Sequence, residues 1–127
     1  MKIEINNTRD KIIEQYYTLV NPLLGKDKLG PVEIKVLSKM ALIYNTYQHL
    51  GDDAANLLLF HTQSRKQIRE AVAKDLQSAF SRNSHEAILS RLRKKNLITK
   101  TKILYLPPIK DNKVNVDIRL NIVNSDE

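Results

Sequence analysis

Apolar residues recur three or four positions apart along most of the chain, and near the C-terminus the spacing shortens to two. The first helical stripe is Ile12, Ile13, Tyr16, Leu19 and Val20. It predicts an amphipathic helix capped by Asn7 or Thr8 and running to about Val20. Residues 2–5 ahead of it read as a short extended piece. Asn21-Pro22 breaks the helix, because a residue before proline is pushed out of the helical region. Residues 23–30 (LLGKDKLG) form a turn-rich connector.

Pro31 stands at a favourable first position for a longer helix reaching about His49, with Gly51 as its left-handed cap. Ile34, Leu37, Ala41 and Tyr44 make one stripe, and Val36, Met40, Ile43 and Tyr47 another beside it. A helix apolar over so much of its circumference is the one its neighbours gather around. Asp52 is expected to cap a short third helix through Phe60. Ser64 with Gln67 reads as a capping box opening a fourth, whose inner positions are Ile68, Val72 and Leu76. After a turn at 77–82, Asn83 with Glu86 reads as another capping box. The fifth helix turns His85, Ile88, Leu89 and Leu92 inward. Arg82, Asn83, Glu86, Ala87, Ser90, Arg91 and Lys94 face out, and Asn96 supplies a left-handed stop.

Beyond Ile98 the pattern changes. Residues 99–106 are β-prone, Pro107-Pro108 stops them, and 109–113 form a polar loop. Val114, Val116, Ile118, Leu120 and Ile122 then alternate with polar residues, the clearest strand signal in the chain. The expected fold is therefore mainly α (α+β): one domain over 1–127, ending in a two-stranded β-wing. Residues 1–24 supply an extra N-terminal helix that offers a homodimer contact, 30–123 the core and 124–127 a frayed tail.

Charge sharpens this picture. The chain of 127 residues carries a formal net +7. Between Ser64 and Lys102 lie eleven basic and three acidic residues, a net +8, so the rest of the chain is close to neutral. Such a concentration is the electrostatic footprint of a polyanion-binding face. Cysteine is absent, which removes disulfides and thiolate metal sites. The longest apolar run, 54–60, is interrupted by Asn56 and no signal-peptide core precedes the first helix, so a cytoplasmic protein without a membrane span is expected. His49, His61 and His85 lack metal-ligand spacing, and Asp52-Asp53 sits where helix capping uses it. Three glycines form no phosphate loop. No enzyme, cofactor or metal is expected.

The segments LSRLRKKNLI (89–98) and LGPVEIKVL (29–37) carry a resemblance. Residues from about 30 to 123 resemble a winged helix-turn-helix domain of the kind found in MarR-like transcriptional regulators. The first segment is similar to the end of their recognition helix, with Asn96 in place of the usual glycine. The second is similar to the start of their first core helix. The resemblance implies a double-stranded DNA-binding protein, a small transcriptional regulator reading the major groove with helix 83–95. The first turns of such a helix reach base edges. Arg82, Asn83 and Arg91 are then the leading base-contact residues, with Ser84, Glu86 and Ser90 behind them. Arg65, Lys66, Arg93, Lys94, Lys95, Lys100 and Lys102 would meet phosphates, joined by Lys110 and Lys113 from the wing loop. The alternative is a winged-helix assembly module, for example of a mobile element or virus particle. It would touch nucleic acid only nonspecifically and dock through Ile12, Tyr16 and Val20 or the edge of the last strand.

Overall fold

The computed structural model describes residues 2–6, 8–110 and 113–117. In chain order they form β1 (Lys2–Asn6), α1 (Arg9–Val20), a 3-10 segment (Asn21–Asp27) and α2 (Pro31–Tyr47). A 3-10 turn (Gln48–Leu50), α3 (Asp52–Leu59), α4 (Thr62–Leu76), α5 (Arg82–Lys94), β2 (Ile109–Lys110) and β3 (Lys113–Asp117) follow. The protein is mainly helical.

α2 occupies the middle, packed against α1, α3, α4 and α5. Its two adjoining stripes explain this position: Ile34, Val36, Leu37, Met40, Ala41 and Tyr44 are all buried. Pro31 opens the helix, and the Glu33 carboxylate reaches back to accept the Gly30 N–H at 3.2 Å, so Gly30 and Glu33 complete its first turn. The core is finished by Ile13 and Tyr17 from α1, Leu59 from α3, Ile68 and Val72 from α4, and Ile88, Leu89 and Leu92 from α5.

α1 ends at Val20 as its periodicity predicts, with its apolar stripe folded back on its own domain. Ile12, Ile13 and Tyr17 are fully buried, and Tyr17 donates its hydroxyl to the Tyr105 carbonyl at 2.5 Å. Ile12 and Val20 form a second small cluster beside Tyr105 and Ile109. Ile12 and Val20, expected to dock a second copy or another partner, are thus consumed within the chain, and Tyr16 is partly buried against both clusters.

The expected wing is corrected. Among the described residues, no strand 99–106 pairs with the strand beginning at Val114. Lys113–Asp117 lies instead in the middle of a three-stranded antiparallel sheet ordered β1-β3-β2. Val114 faces Ile5 on one side and Ile109 on the other, and Val116 faces Ile3. The extended reading of 2–5 and the start of the alternating strand therefore hold, but they pair with each other. The cause lies at Thr99, whose hydroxyl oxygen accepts the N–H groups of Thr101 and Lys102 at 3.2 and 3.0 Å. A side chain that captures two following amides makes a turn and stops a strand. Only a minimal hairpin results, joined by the single bridge Ile98–Ile103. The part of the alternating strand beyond Asp117 lies outside the described residues.

Three caps also differ from expectation. α5 is capped by Ser81, whose oxygen accepts the Ser84 N–H at 3.0 Å, rather than by Asn83. α4 begins at Thr62 with His61 as its cap, and Ser64 instead donates to the Leu58 carbonyl at 2.6 Å. Asp52 follows the Gly51 cap of α3 and accepts the Tyr44 hydroxyl at 2.6 Å.

Candidate nucleic-acid interface

α5 buries His85, Ile88, Leu89 and Leu92, the face its periodicity predicts. That burial turns Arg82, Asn83, Ser84, Glu86, Ala87, Arg91 and Lys94 to solvent, with Ser90 and Arg93 half-buried. The helix then stops sharply. Asn96 adopts φ 61°. The Leu97 N–H returns to the Leu92 carbonyl at 3.0 Å, and the Asn96 N–H to the Arg93 carbonyl at 3.0 Å. These paired bonds are a Schellman stop. They throw Leu97 and Ile98 into the core and aim the chain at the hairpin. Gln77 ends α4 in the same way at φ 53°, with Ser78 N–H bonded to the Ala73 carbonyl, a left-handed position the sequence did not announce.

The hairpin is closed from within. Thr99 donates its N–H to the Lys102 carbonyl at 2.7 Å, and Leu104 donates to the Leu97 carbonyl at 2.9 Å. Ile98 and Ile103 are buried, while Lys100, Thr101 and Lys102 project outward.

Two contacts join these parts into one surface. Arg65, at the start of α4, pairs with Glu86 of α5 at 3.3 Å. On the other side, His61 and Thr62 line the same groove as Thr101 and Lys102. The N-terminal turn of α4, carrying Lys66, therefore lies between the outer face of α5 and the hairpin tip. Among the described residues, no ion pair engages Lys66, Arg82, Arg91, Lys94, Lys100 or Lys102. Glu86 is the one acid on α5, and Arg65 holds it. No protein family, curated protein or solved structure matches the chain.

The remaining expected site residues separate from this surface. Lys95 turns back on the domain: its ammonium pairs with Glu33 and donates to the Lys28 carbonyl at 2.7 Å. It locks the end of α5 to the start of α2 and is not a free cation for phosphate. Lys110 and Lys113 stand opposite each other at the end of the β2–β3 pair, in the sheet whose β1 and β3 strands pack on α1. Arg93 is half-buried and Arg65 is shared with Glu86, so the free charge concentrates in fewer residues than the sequence offers.

Beneath the surface lies His85, only 1% exposed, with Nδ1 3.5 Å from an Arg69 guanidinium nitrogen and the ring tilted against Phe80. Burial lowers its pKa to about 4, and the positive charge of Arg69, and less so that of Arg65, acts in the same direction, while Glu86 opposes them. At neutral pH the imidazole is uncharged. It serves the packing of α5 on α4, and its Nε2 has no hydrogen-bond partner among the described residues. Among the described residues no group of three or more His, Asp or Glu side chains can hold a metal ion, and no helix is long and apolar enough to cross a membrane.

Proposed function

We propose that this domain binds double-stranded DNA, with the outer face of α5 in the major groove and the start of α4 and the hairpin tip along the phosphate backbone. The observation that carries the reading is the set of exposed cations on those three elements that, among the described residues, have no ion-pair partner. A solvated basic surface has no need to gather its free charges around one helix that ends in a rigid turn. A major groove accepts one α-helix, and base edges there are read by arginine and asparagine in bidentate fashion. Arg82, Asn83 and Arg91 offer these groups, while Lys66, Lys94, Lys100 and Lys102 offer point charges to phosphates. Neither the outer face of α5 nor the hairpin tip carries an aromatic ring. Single strands are held by stacking on such rings, so a duplex fits better. The role that goes with this reading is that of a small transcriptional regulator.

The assembly-module alternative has less support. Its docking residues Ile12 and Val20 are buried, and β3 is paired with β1 along its length and with β2 at Lys113 and Val114.

Alanine variants separate the two kinds of contact. Arg82→Ala, Asn83→Ala or Arg91→Ala is expected to cost roughly 1–3 kcal/mol on a duplex selected from a random pool, and much less on random duplex. Lys94→Ala or Lys100→Ala should weaken both duplexes alike and reduce the salt slope by about one. Competition binding on the two duplexes checks this. Equal losses for every variant on both would rule out α5 as the reading helix.

A further inference from the structure

The hairpin tip is held from outside by a residue whose side chain is almost wholly buried. Asn56 lies in α3 and is 3% exposed. Its Oδ1 accepts the Ile103 N–H at 2.9 Å in a fully buried bond. Its Nδ2 donates to the Asp52 carbonyl at 3.0 Å. Asp52 in turn accepts the Tyr44 hydroxyl at 2.6 Å. A line of hydrogen bonds thus runs from the central helix through α3 to the hairpin.

The backbone explains why a side chain is needed there. Within the hairpin the closing bonds use the N–H groups of Thr99 and Leu104, and the Thr99 hydroxyl oxygen takes those of Thr101 and Lys102. The Ile103 N–H points the other way, into the core, where an unpaired donor is costly. The Asn56 amide supplies both the acceptor for this group and a donor for the Asp52 carbonyl one turn back. Asparagine is a poor residue for a helix interior and a polar one in an apolar segment, so its position in α3 demands a local reason. Ile103 supplies it.

We infer that Asn56 is a positioning residue for DNA binding: it fixes the hairpin so that the Lys100 and Lys102 ammonium groups stand ready at the phosphate backbone. This rests on the DNA reading proposed above. A tip already ordered in the free protein avoids the ordering cost that a mobile loop pays on binding, and that cost appears directly in affinity. α3 then acts as the brace of the hairpin, and Asn56 reaches DNA only through those two lysines.

A double-mutant cycle tests this on the full chain, using a random-sequence duplex well below the melting temperature. Asn56→Ala should lower affinity about three- to tenfold in the native background and leave it unchanged in the Lys100→Ala/Lys102→Ala background. Thr99→Ala gives a second route, because Thr99 is exposed and its loss frees the tip without opening the core. It should show the same dependence on background. Slow amide exchange at Ile103 in the native protein, and fast exchange in Asn56→Ala, would report the bond itself. Equal losses in both backgrounds, or none in either, would overturn the positioning role while leaving duplex binding intact. A native protein that binds no duplex overturns the DNA reading and this role together.

Discussion

Lys95→Ala is expected to destabilise the protein by about 3 kcal/mol, a fall of roughly 10 °C in melting temperature, where its neighbour Lys94→Ala costs under about 0.5 kcal/mol. Both are lysines at the end of α5, and both satisfy the negative end of its helix dipole. They differ in what they meet. Lys94 is exposed, whereas the Lys95 ammonium pairs with Glu33, which is 6% exposed and also accepts the Gly30 N–H at the start of α2. Removing the cation strands a buried carboxylate, and the loss reflects that stranded charge more than the worth of the pair. The double substitution Glu33→Gln/Lys95→Met should therefore recover most of the stability. Urea unfolding of the three variants checks the set. Equal costs for Lys94→Ala and Lys95→Ala would contradict the assignment.

Acidification is expected to weaken the fold through His85 by at most about 3 kcal/mol between pH 6.5 and 4. The sign follows from where the proton binds. The unfolded chain takes up a proton on His85 below its ordinary pKa of 6.5, while the folded protein, whose imidazole is held down to about 4, does not. Across that window the unfolded state carries more protons, so stability rises with pH and falls as pH drops. Above about pH 7 the group is neutral in both states and contributes no slope. The magnitude reflects burial first and the Arg69 guanidinium second. Urea midpoints at pH 7.5, 6 and 5 for the native protein and His85→Leu give the comparison. Leucine keeps an apolar filler between α4 and α5 and carries no titrating group, so its curve should be the flatter. Parallel curves would show that His85 is not the titrating group.

Much of the helical architecture was legible in the chain because burial of a stripe leaves a period that nothing else produces. The doubled stripe of α2 announced its central place, and His85, Ile88, Leu89 and Leu92 announced the inner face of α5. Asn96 was legible as a stop because few residue types tolerate a left-handed backbone. Caps were less legible, since several Ser, Asn and Asp residues cluster at each helix start and only geometry decides among them. The wing failed for a different reason. The β-propensity of residues 99–106 is local, and the Thr99 turn overrode it, while the partner of β3 lay over a hundred residues earlier in β1. No local pattern encodes such a pairing. The composition of the basic surface was visible, but the withdrawal of Lys95 to Glu33, and the Asn56 bond under the hairpin, depend on contacts 62 and 47 positions apart.

Titration of the native protein on a fluorescent random duplex at 50 and 200 mM salt tests the central proposal most directly. With Lys66, Lys94, Lys100 and Lys102 at phosphates, the logarithmic salt slope should be about 3.6, so affinity should fall by a factor of about a hundred across that range. Absence of binding at 50 mM, or an affinity indifferent to salt, would contradict the proposal that this surface meets DNA.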